Sequence, residues 1–308
     1  MNVPQVSPAD RLRGLLKGPG IITMPCCFDA WSARLVERAG FSLSFMSGFA
    51  VSAARFGLPD TGLVSYGEML DAGRAINAAV SIPVIGDGDT GYGNALNVRR
   101  TVNGYAGAGF AAVMIEDQVA PKRCGHTQGK QVVDRDEALM RVRAAVDARE
   151  AGADILILAR TDARAVLGLE EALTRARAFE DLGADILFVE APMSEDEMAA
   201  ICKATSRPNL ANMLEGGVTP MLTPKQLEEI GFSIAAYPLA LLAAATGAIE
   251  AALGKLAVGA MPSGVASFAH IRDIAGFPEY VAAEKTYAAP DAKASGTQNS
   301  GTEDADEA

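Results

Sequence analysis

The sequence has too few basic residues to balance its acids. It carries 27 lysines and arginines against 38 aspartates and glutamates, a formal net charge of −11. That balance excludes nucleic acid as a natural partner. Cysteine is scarce, with four in 308 residues, and two of the four are the adjacent pair Cys26-Cys27. Neither number nor spacing makes a disulfide framework, so a reducing compartment, the cytoplasm, is expected. No second cysteine or histidine stands nearby at ligand spacing from Cys124 and His126, which argues against zinc. The first residues, Met1-Asn2-Val3-Pro4-Gln5, lack a basic region followed by an apolar run, so no signal peptide is expected. No run reads as long and apolar enough to span a membrane. Leu239 to Ala252 comes nearest, but Thr246, Gly247 and Glu250 interrupt it, and a buried helix is expected there. No Gly-x-Gly-x-x-Gly follows the first strand candidate, which counts against a dinucleotide-binding sheet.

What is present is a globular composition, nearly half apolar and about a fifth charged. A repeated unit organises it. Ala106-Gly107-Ala108-Gly109 precedes the apolar run Ala111 to Glu116; Ala151-Gly152-Ala153-Asp154 precedes Ile155 to Arg160; Leu182-Gly183-Ala184-Asp185 precedes Ile186 to Glu190. Each unit is a helix stopped by glycine, then a short apolar strand with a polar end. Strands that are apolar throughout are buried on both faces, as in parallel sheets under helices. Further strands are expected at Ile21 to Met24, Leu43 to Met46, Ile82 to Ile85, Asn209 to Met213 and Ser233 to Tyr237. Helices are expected over Ser7 to Lys17, with Ser7 as a cap, over Trp31 to Ala39, closed by Gly40, and over Ser65 to Ala79. About eight βα units predict a (β/α)₈ TIM-type barrel, with a doubly wound open sheet as the alternative. Residues 1–288 read as one domain, in which Phe268, Ile271, Ile274 and Phe277 stripe the helices after Met261. Residues 289–308 are polar and acidic, lack apolar anchors and are expected to be a disordered tail.

In such a barrel chemistry gathers at the C-terminal ends of the strands. Read in order, those ends carry Asp29, Ser47-Gly48, Asp87 and Asp89, Glu116 and Asp117, Arg160, Glu190, Asn212 and Tyr237-Pro238. Asp87 and Asp89, two apart in a strand, would point to one side. With Glu116 they make an all-oxygen cradle suited to Mg²⁺ or Mn²⁺, bound directly or through water. Arg160 can take a carboxylate bidentately, and Ser47 with neighbouring backbone N–H groups and Asn212 can hold a second carboxyl or a carbonyl. The loop Lys122-Arg123-Cys124-Gly125-His126-Thr127-Gln128-Gly129-Lys130 surrounds one thiol with basic groups, a setting that makes it reactive. Blander roles exist for each. Asp-x-Asp can be a turn, the cysteine inert, Thr161-Asp162 a helix cap, and Asp117 and Glu190 structural.

The stretches Asp87-Gly88-Asp89-Thr90-Gly91-Tyr92-Gly93-Asn94 and Lys122-Arg123-Cys124-Gly125-His126, with Gly129-Lys130, resemble the metal strand and signature loop of the isocitrate lyase/phosphoenolpyruvate mutase superfamily. The likeness runs from about Phe28 to about Leu242 and is strongest to the short-chain lyases: 2-methylisocitrate lyase, 2,3-dimethylmalate lyase and petal death protein. It implies a Mg²⁺-dependent carbon–carbon lyase acting on a small 2-hydroxy di- or tricarboxylate. Asp87, Asp89 and Glu116 would then form the metal site. Phe45, Ser47, Gly48, Asp60, Arg160, Asn212 and Glu215 would bind substrate, and Lys122, Arg123, Cys124, His126 and Glu190 would be catalytic, Cys124 as the acid. The resemblance also implies a homo-oligomer, a tetramer with an exchanged C-terminal helix. Where 2-methylisocitrate lyases carry a tyrosine, this chain has Phe45, which cannot move a proton. That shifts the base to a metal-bound group or Glu190 and favours a 2-alkylmalate. Alternatives within the same superfamily are an oxaloacetate hydrolase or decarboxylase and a phosphonomutase. A barrel without catalysis ranks last.

Overall fold

In the computed structural model, residues 6–123 and 129–287 are described. The chain falls into two compact units, 1–263 and 264–308. The first is built on eight parallel strands: β1 Ile22–Cys27, β2 Ser44–Met46, β3 Val84–Asp87, β4 Ala112–Glu116, β5 Leu156–Thr161, β6 Ile186–Val189, β7 Leu210–Asn212 and β8 Ile234–Tyr237. Their order is β6-β5-β4-β3-β2-β1-β8-β7. β6 and β7 meet through a parallel bridge between Leu187 and Asn209, with the Leu187 N–H donating to the Pro208 carbonyl at 2.9 Å. The sheet is thereby all but closed into the expected barrel, and the open-sheet alternative falls.

Alternation along the strands divides the core in two. Ala112 and Met114 of β4, Leu156 and Leu158 of β5, and Ile186 and Phe188 of β6 belong to one cluster that fills the lumen. Val113, Ile115, Ile157, Ala159 and Leu187 belong to another, shared with the surrounding helices. Period-two alternation with both sets apolar is what burial on both faces requires. The helix Pro8–Leu16 contributes Ala9 and Leu12 to the lumen cluster, beside Leu15, Leu16 and Ile22. It therefore closes the N-terminal mouth of the barrel. Ser7 caps it as expected, accepting from the Asp10 N–H at 3.1 Å.

The repeated glycine signal has a single geometry. Gly109, Gly152 and Gly183 all have φ between 86 and 114°. The next N–H in each case reaches back over the last turn: Phe110 to Tyr105, Ala153 to Ala148, Ala184 to Phe179. That is the Schellman stop, which needs a left-handed residue.

One expectation is corrected. The apolar segment from Leu239 does not form a buried helix. It is part of the helix Ala240–Ala257, 18 residues long, and none of them is buried. By length and composition alone this helix could cross a bilayer, so the segment is also longer than the sequence reading allowed. The second unit contains the helices Phe268–Ile274 and Phe277–Tyr287. Ser267 caps the first, and the Arg272 guanidinium lies over the Phe268 and Phe277 rings at 5.8 and 4.7 Å. The segment 289–308, expected to be disordered, lies outside the described residues.

Candidate active site

A cavity of about 80 Å³ opens at the C-terminal ends of the strands. Water needs about 10–15 Å³ of such space, so roughly six water-sized positions fit, room for a small organic acid. One wall is apolar and includes Phe45, Phe49, Phe188, Leu210 and Leu214. The other is ionic.

Asp87 ends β3. Its Oδ2 accepts from the Gly48 N–H and its Oδ1 from the Asp89 N–H, both at 3.0 Å. A Cβ at Gly48 would stand 2.5 Å from Oδ2, so only glycine lets the backbone come this close. The Gly48 N–H is thus taken by Asp87 in this structure, and Gly48 is not among the residues of the cavity wall. Asp89 lies past the strand end, in a left-handed turn at φ 48°. The strand therefore ends two residues before Asp89, and the strand spacing read from Asp-x-Asp does not extend to it. The turn is stitched to β4 instead, with the Glu116 N–H donating to the Asp89 carbonyl at 2.9 Å.

Lys122 is buried among these carboxylates. Its Nζ lies 2.6 Å from Asp60 Oδ1 and 2.9 Å from Asp89 Oδ1. Both contacts are buried ion pairs. Glu116 Oε1 is buried without a hydrogen-bond partner. Burial pushes the Asp89 carboxyl up to about 6, against the pull of Lys122. Burial also pushes Glu116 up, against Arg160. Burial opposes the Lys122 ammonium, but Asp89, Asp87, Asp60 and Glu116 outweigh it and hold its pKa well above the ordinary value.

Arg160, near the end of β5, is gripped from three sides. Nε lies 2.9 Å from Asp162 Oδ2 and 3.3 Å from Glu116 Oε2, and Nη2 lies 3.0 Å from Glu190 Oε2 and 3.2 Å from Asp162 Oδ1. Glu190 also accepts from its neighbour's N–H, on Ala191, at 2.9 Å and from Asn212 Nδ2 at 3.3 Å. Asp117 takes the structural role open to it. It accepts from Thr161 Oγ1, the Asp162 N–H and Arg175 Nη1 at 2.6, 2.8 and 3.0 Å.

The expected site residues divide as follows. Phe45, Ser47, Asp60, Asp87, Glu116, Lys122, Arg123, Arg160, Glu190 and Asn212 all line the cavity. Asp89 stands beside it through Lys122. Glu215 is exposed and not part of the wall. Cys124 and His126 lie outside the described residues. Gln118 was missed by sequence reasoning. Its amide holds the backbone of Arg123 on both sides, accepting from the N–H at 3.0 Å and donating to the carbonyl at 2.9 Å. Nothing in a lone glutamine after Glu116-Asp117 signals that clamp.

The donor set suits a hard cation, with the Glu116 Oε1 buried without a hydrogen-bond partner and Asp87 and Asp89 close by. Among the described residues, no three acidic, histidine or cysteine side chains converge into a closed metal cage. Mg²⁺ does not require one, since it usually keeps several waters and binds one or two carboxylates plus substrate oxygens. The residues therefore fit the ion in the water-mediated form.

Comparison with known proteins places this geometry. The family described as phosphoenolpyruvate phosphomutase matches residues 12–257. The 2,3-dimethylmalate lyase of Eubacterium barkeri is 40% identical over 284 residues, 91% of this chain and 98% of that protein. The chloroplastic carboxyvinyl-carboxyphosphonate phosphorylmutase of Arabidopsis thaliana is 45% identical over 250 residues, 80% of this chain and 74% of that protein. Among solved structures, oxaloacetate acetylhydrolase with 3,3-difluorooxalacetate superposes with a TM-score of 0.87 at 36% identity, covering 91% of this chain and 97% of the other. Phosphonopyruvate hydrolase with oxalate and Mg²⁺ superposes with a TM-score of 0.81 at 31% identity, covering 91% and 99%.

Proposed function

The chain belongs to the phosphoenolpyruvate mutase/isocitrate lyase superfamily, and on that premise we propose that it is a Mg²⁺-dependent carbon–carbon lyase for a small 2-hydroxy dicarboxylate of the 2-alkylmalate type. One observation carries the reading. Arg160 and Glu116, whose Oε1 is buried without a hydrogen-bond partner, line a small cavity together with apolar side chains, and Asp89 stands next to it at Lys122. Such a site takes an acid group at one end, oxygens shared with a cation at the other, and alkyl substituents between. The names of relatives agree, since one acts as a 2,3-dimethylmalate lyase.

Asp87, Asp89 and Glu116 would hold the ion, in part through water. When bound it would polarise the oxygens of the nascent 2-oxo acid. Arg160 and Asn212 orient the substrate carboxylate. Glu190, within reach of both, accepts the proton of the substrate hydroxyl. The C–C bond breaks, its electron pair passes to the departing acid fragment, and Cys124 supplies the proton that this carbon takes up. The products are a 2-oxo acid and a carboxylate. Phe45 stands in the wall and carries no proton. Lys122, Arg123 and His126 stabilise the thiolate left behind. Positioned acid catalysis of this kind contributes about 10²–10⁴-fold.

The test is a panel of 2-alkylmalates, isocitrates and oxaloacetate, with product identification and with or without chelator. Cleavage of a 2-hydroxy acid that stops on chelation supports the reading. Turnover that survives chelation sinks the metal, and phosphorus transfer within phosphoenolpyruvate, followed by ³¹P NMR, would establish the phosphonomutase instead. Cys124 argues against that alternative, because the mutases carry a different loop sequence.

The same reading makes residues 1–288 one functional domain and the protein a cytoplasmic homo-oligomer. On the helix Ala240–Ala257, Ile249, Leu253 and Leu256 share one face and are each more than half exposed. The same helix exposes Glu250 and Lys255, which suits a protein partner better than lipid.

A further inference from the structure

Asp162 occupies the N-cap position of the helix Ala163–Leu167, yet its side chain caps nothing. An aspartate there ordinarily contributes about 1 kcal/mol by accepting from the first-turn amides. Here both oxygens are committed elsewhere. Oδ2 and Oδ1 take Arg160 Nε and Nη2 at 2.9 and 3.2 Å, a fork-to-fork pair. Oδ1 also accepts from Lys130 Nζ at 2.9 Å. Asp162 is fully buried and the Lys130 side chain is 5% exposed. Behind them the Asp162 N–H is fixed to Asp117, which is tied in turn to Arg175. The grip has a direction. It engages the Nε and Nη2 edge of the guanidinium and leaves Nη1 without a hydrogen bond among the described residues, on a side chain that lines the cavity.

We propose that Asp162, neutralised by Lys130, is a positioning residue that turns the open edge of Arg160 toward the substrate carboxylate. The proposal rests on the reading of Arg160 as the anion receptor. Charge alone makes the opposite demand. A buried carboxylate beside an anion site repels the anion, so deleting Asp162 would tighten binding if its charge were all that mattered. Positioning predicts weaker binding, because a guanidinium released from the fork follows Glu116 and Glu190 instead and loses its set of the free edge.

The experiment uses the full-length Mg²⁺-loaded enzyme, with oxalate as probe in calorimetry and steady-state kinetics on the best substrate from the panel. The variants are Asp162→Asn and the double variant Asp162→Asn/Lys130→Met. The double variant leaves the net charge unchanged and strands no buried ammonium, so it serves where the single change does not fold. Oxalate affinity is expected to fall 10–100-fold in each folded variant, KM to rise by a similar factor with kcat lowered less, and Mg²⁺ affinity to stay within 3-fold. Oxalate binding equal to or tighter than wild type in the double variant overturns the positioning role while the lyase reading stands. Failure of the wild type itself to bind oxalate in Mg²⁺ overturns both.

Discussion

Lys122→Met is the change whose consequence can be worked furthest. The ammonium is buried, with Asp60 at 2.6 Å and Asp89 at 2.9 Å. At an effective dielectric of about 20, each contact is worth roughly 6 kcal/mol of attraction. Burying the ammonium costs several kcal/mol, so the net loss expected on breaking the cluster is about 3–5 kcal/mol. In a chain of this size that lowers Tm by on the order of 10 °C. The loss should depend on pH in a definite direction. Asp89 is already pushed up to about 6 by burial, from an ordinary 3.8. A carboxyl raised on folding keeps a proton that the unfolded chain has released, so stability falls as pH rises through the window from 3.8 to about 6. Without Lys122 the window extends upward, and the variant should be further below wild type at pH 8 than at pH 5.5. Mg²⁺ should then raise the Tm of the variant more than that of wild type, since the cation would replace the missing positive charge. Thermal melts of chelator-treated and Mg²⁺-loaded protein at the two pH values measure all of this. A metal-free variant melting within 2 °C of wild type at pH 8 would refute the cluster's energetics, and a larger deficit at pH 5.5 would refute its sign.

Cys124→Ser should lose about 10²–10⁴ in turnover while oxalate still binds; near-full activity on every C–C substrate in single-turnover assays would remove the cysteine from the mechanism. Alkylation should reach Cys124 first, because burial holds Cys27 and Cys202 up near 12 and pushes the Cys26 thiol well above its ordinary value; peptide mapping that finds any of these three modified earlier contradicts this. Arg175→Met should destabilise by about 3–5 kcal/mol in denaturant melts, since it strands Asp117 in the interior, and a change under 1 kcal/mol would show the pair to be dispensable. Sedimentation at micromolar concentration should find an oligomer, and Leu253→Glu with Leu256→Glu should dissociate it; a wild-type monomer would leave that exposed face unexplained.

Much of the barrel was legible because its signals are local. A glycine stop and an apolar strand can be read within about ten residues, and Gly109, Gly152 and Gly183 each did what the pattern required. Asp87, Glu116 and Arg160 were found because strand ends in a barrel converge whatever the sequence between them. The misses are of another kind. Asp89 sits in a turn that β4 imposes through a hydrogen bond from Glu116. The commitment of the Gly48 N–H to Asp87 spans 39 positions, and the Gln118 clamp depends on where Arg123 returns. The exposure of Ala240–Ala257 escaped because an apolar segment looks the same whether its own chain or another covers it. For Thr161-Asp162 a helix cap is one reading the sequence leaves open; Thr161 Oγ1 accepts from the Ala163 N–H, while neighbours 2 and 32 residues away show what the Asp162 oxygens hold.

The helix that closes the barrel's N-terminal mouth has a practical consequence. Ala9 and Leu12 have no exposed surface, and they touch the same apolar cluster whose upper members form the cavity wall. Traffic of small molecules through the barrel is therefore confined to one door. A shortened protein beginning after Leu16 would be a vessel with its floor removed. Water would enter from below against Leu156 and Ile186, and the first symptom would be leakage into the lumen rather than loss of any residue that touches substrate. Tags and fusions at this end should accordingly be joined before Ser7 and never in place of the helix.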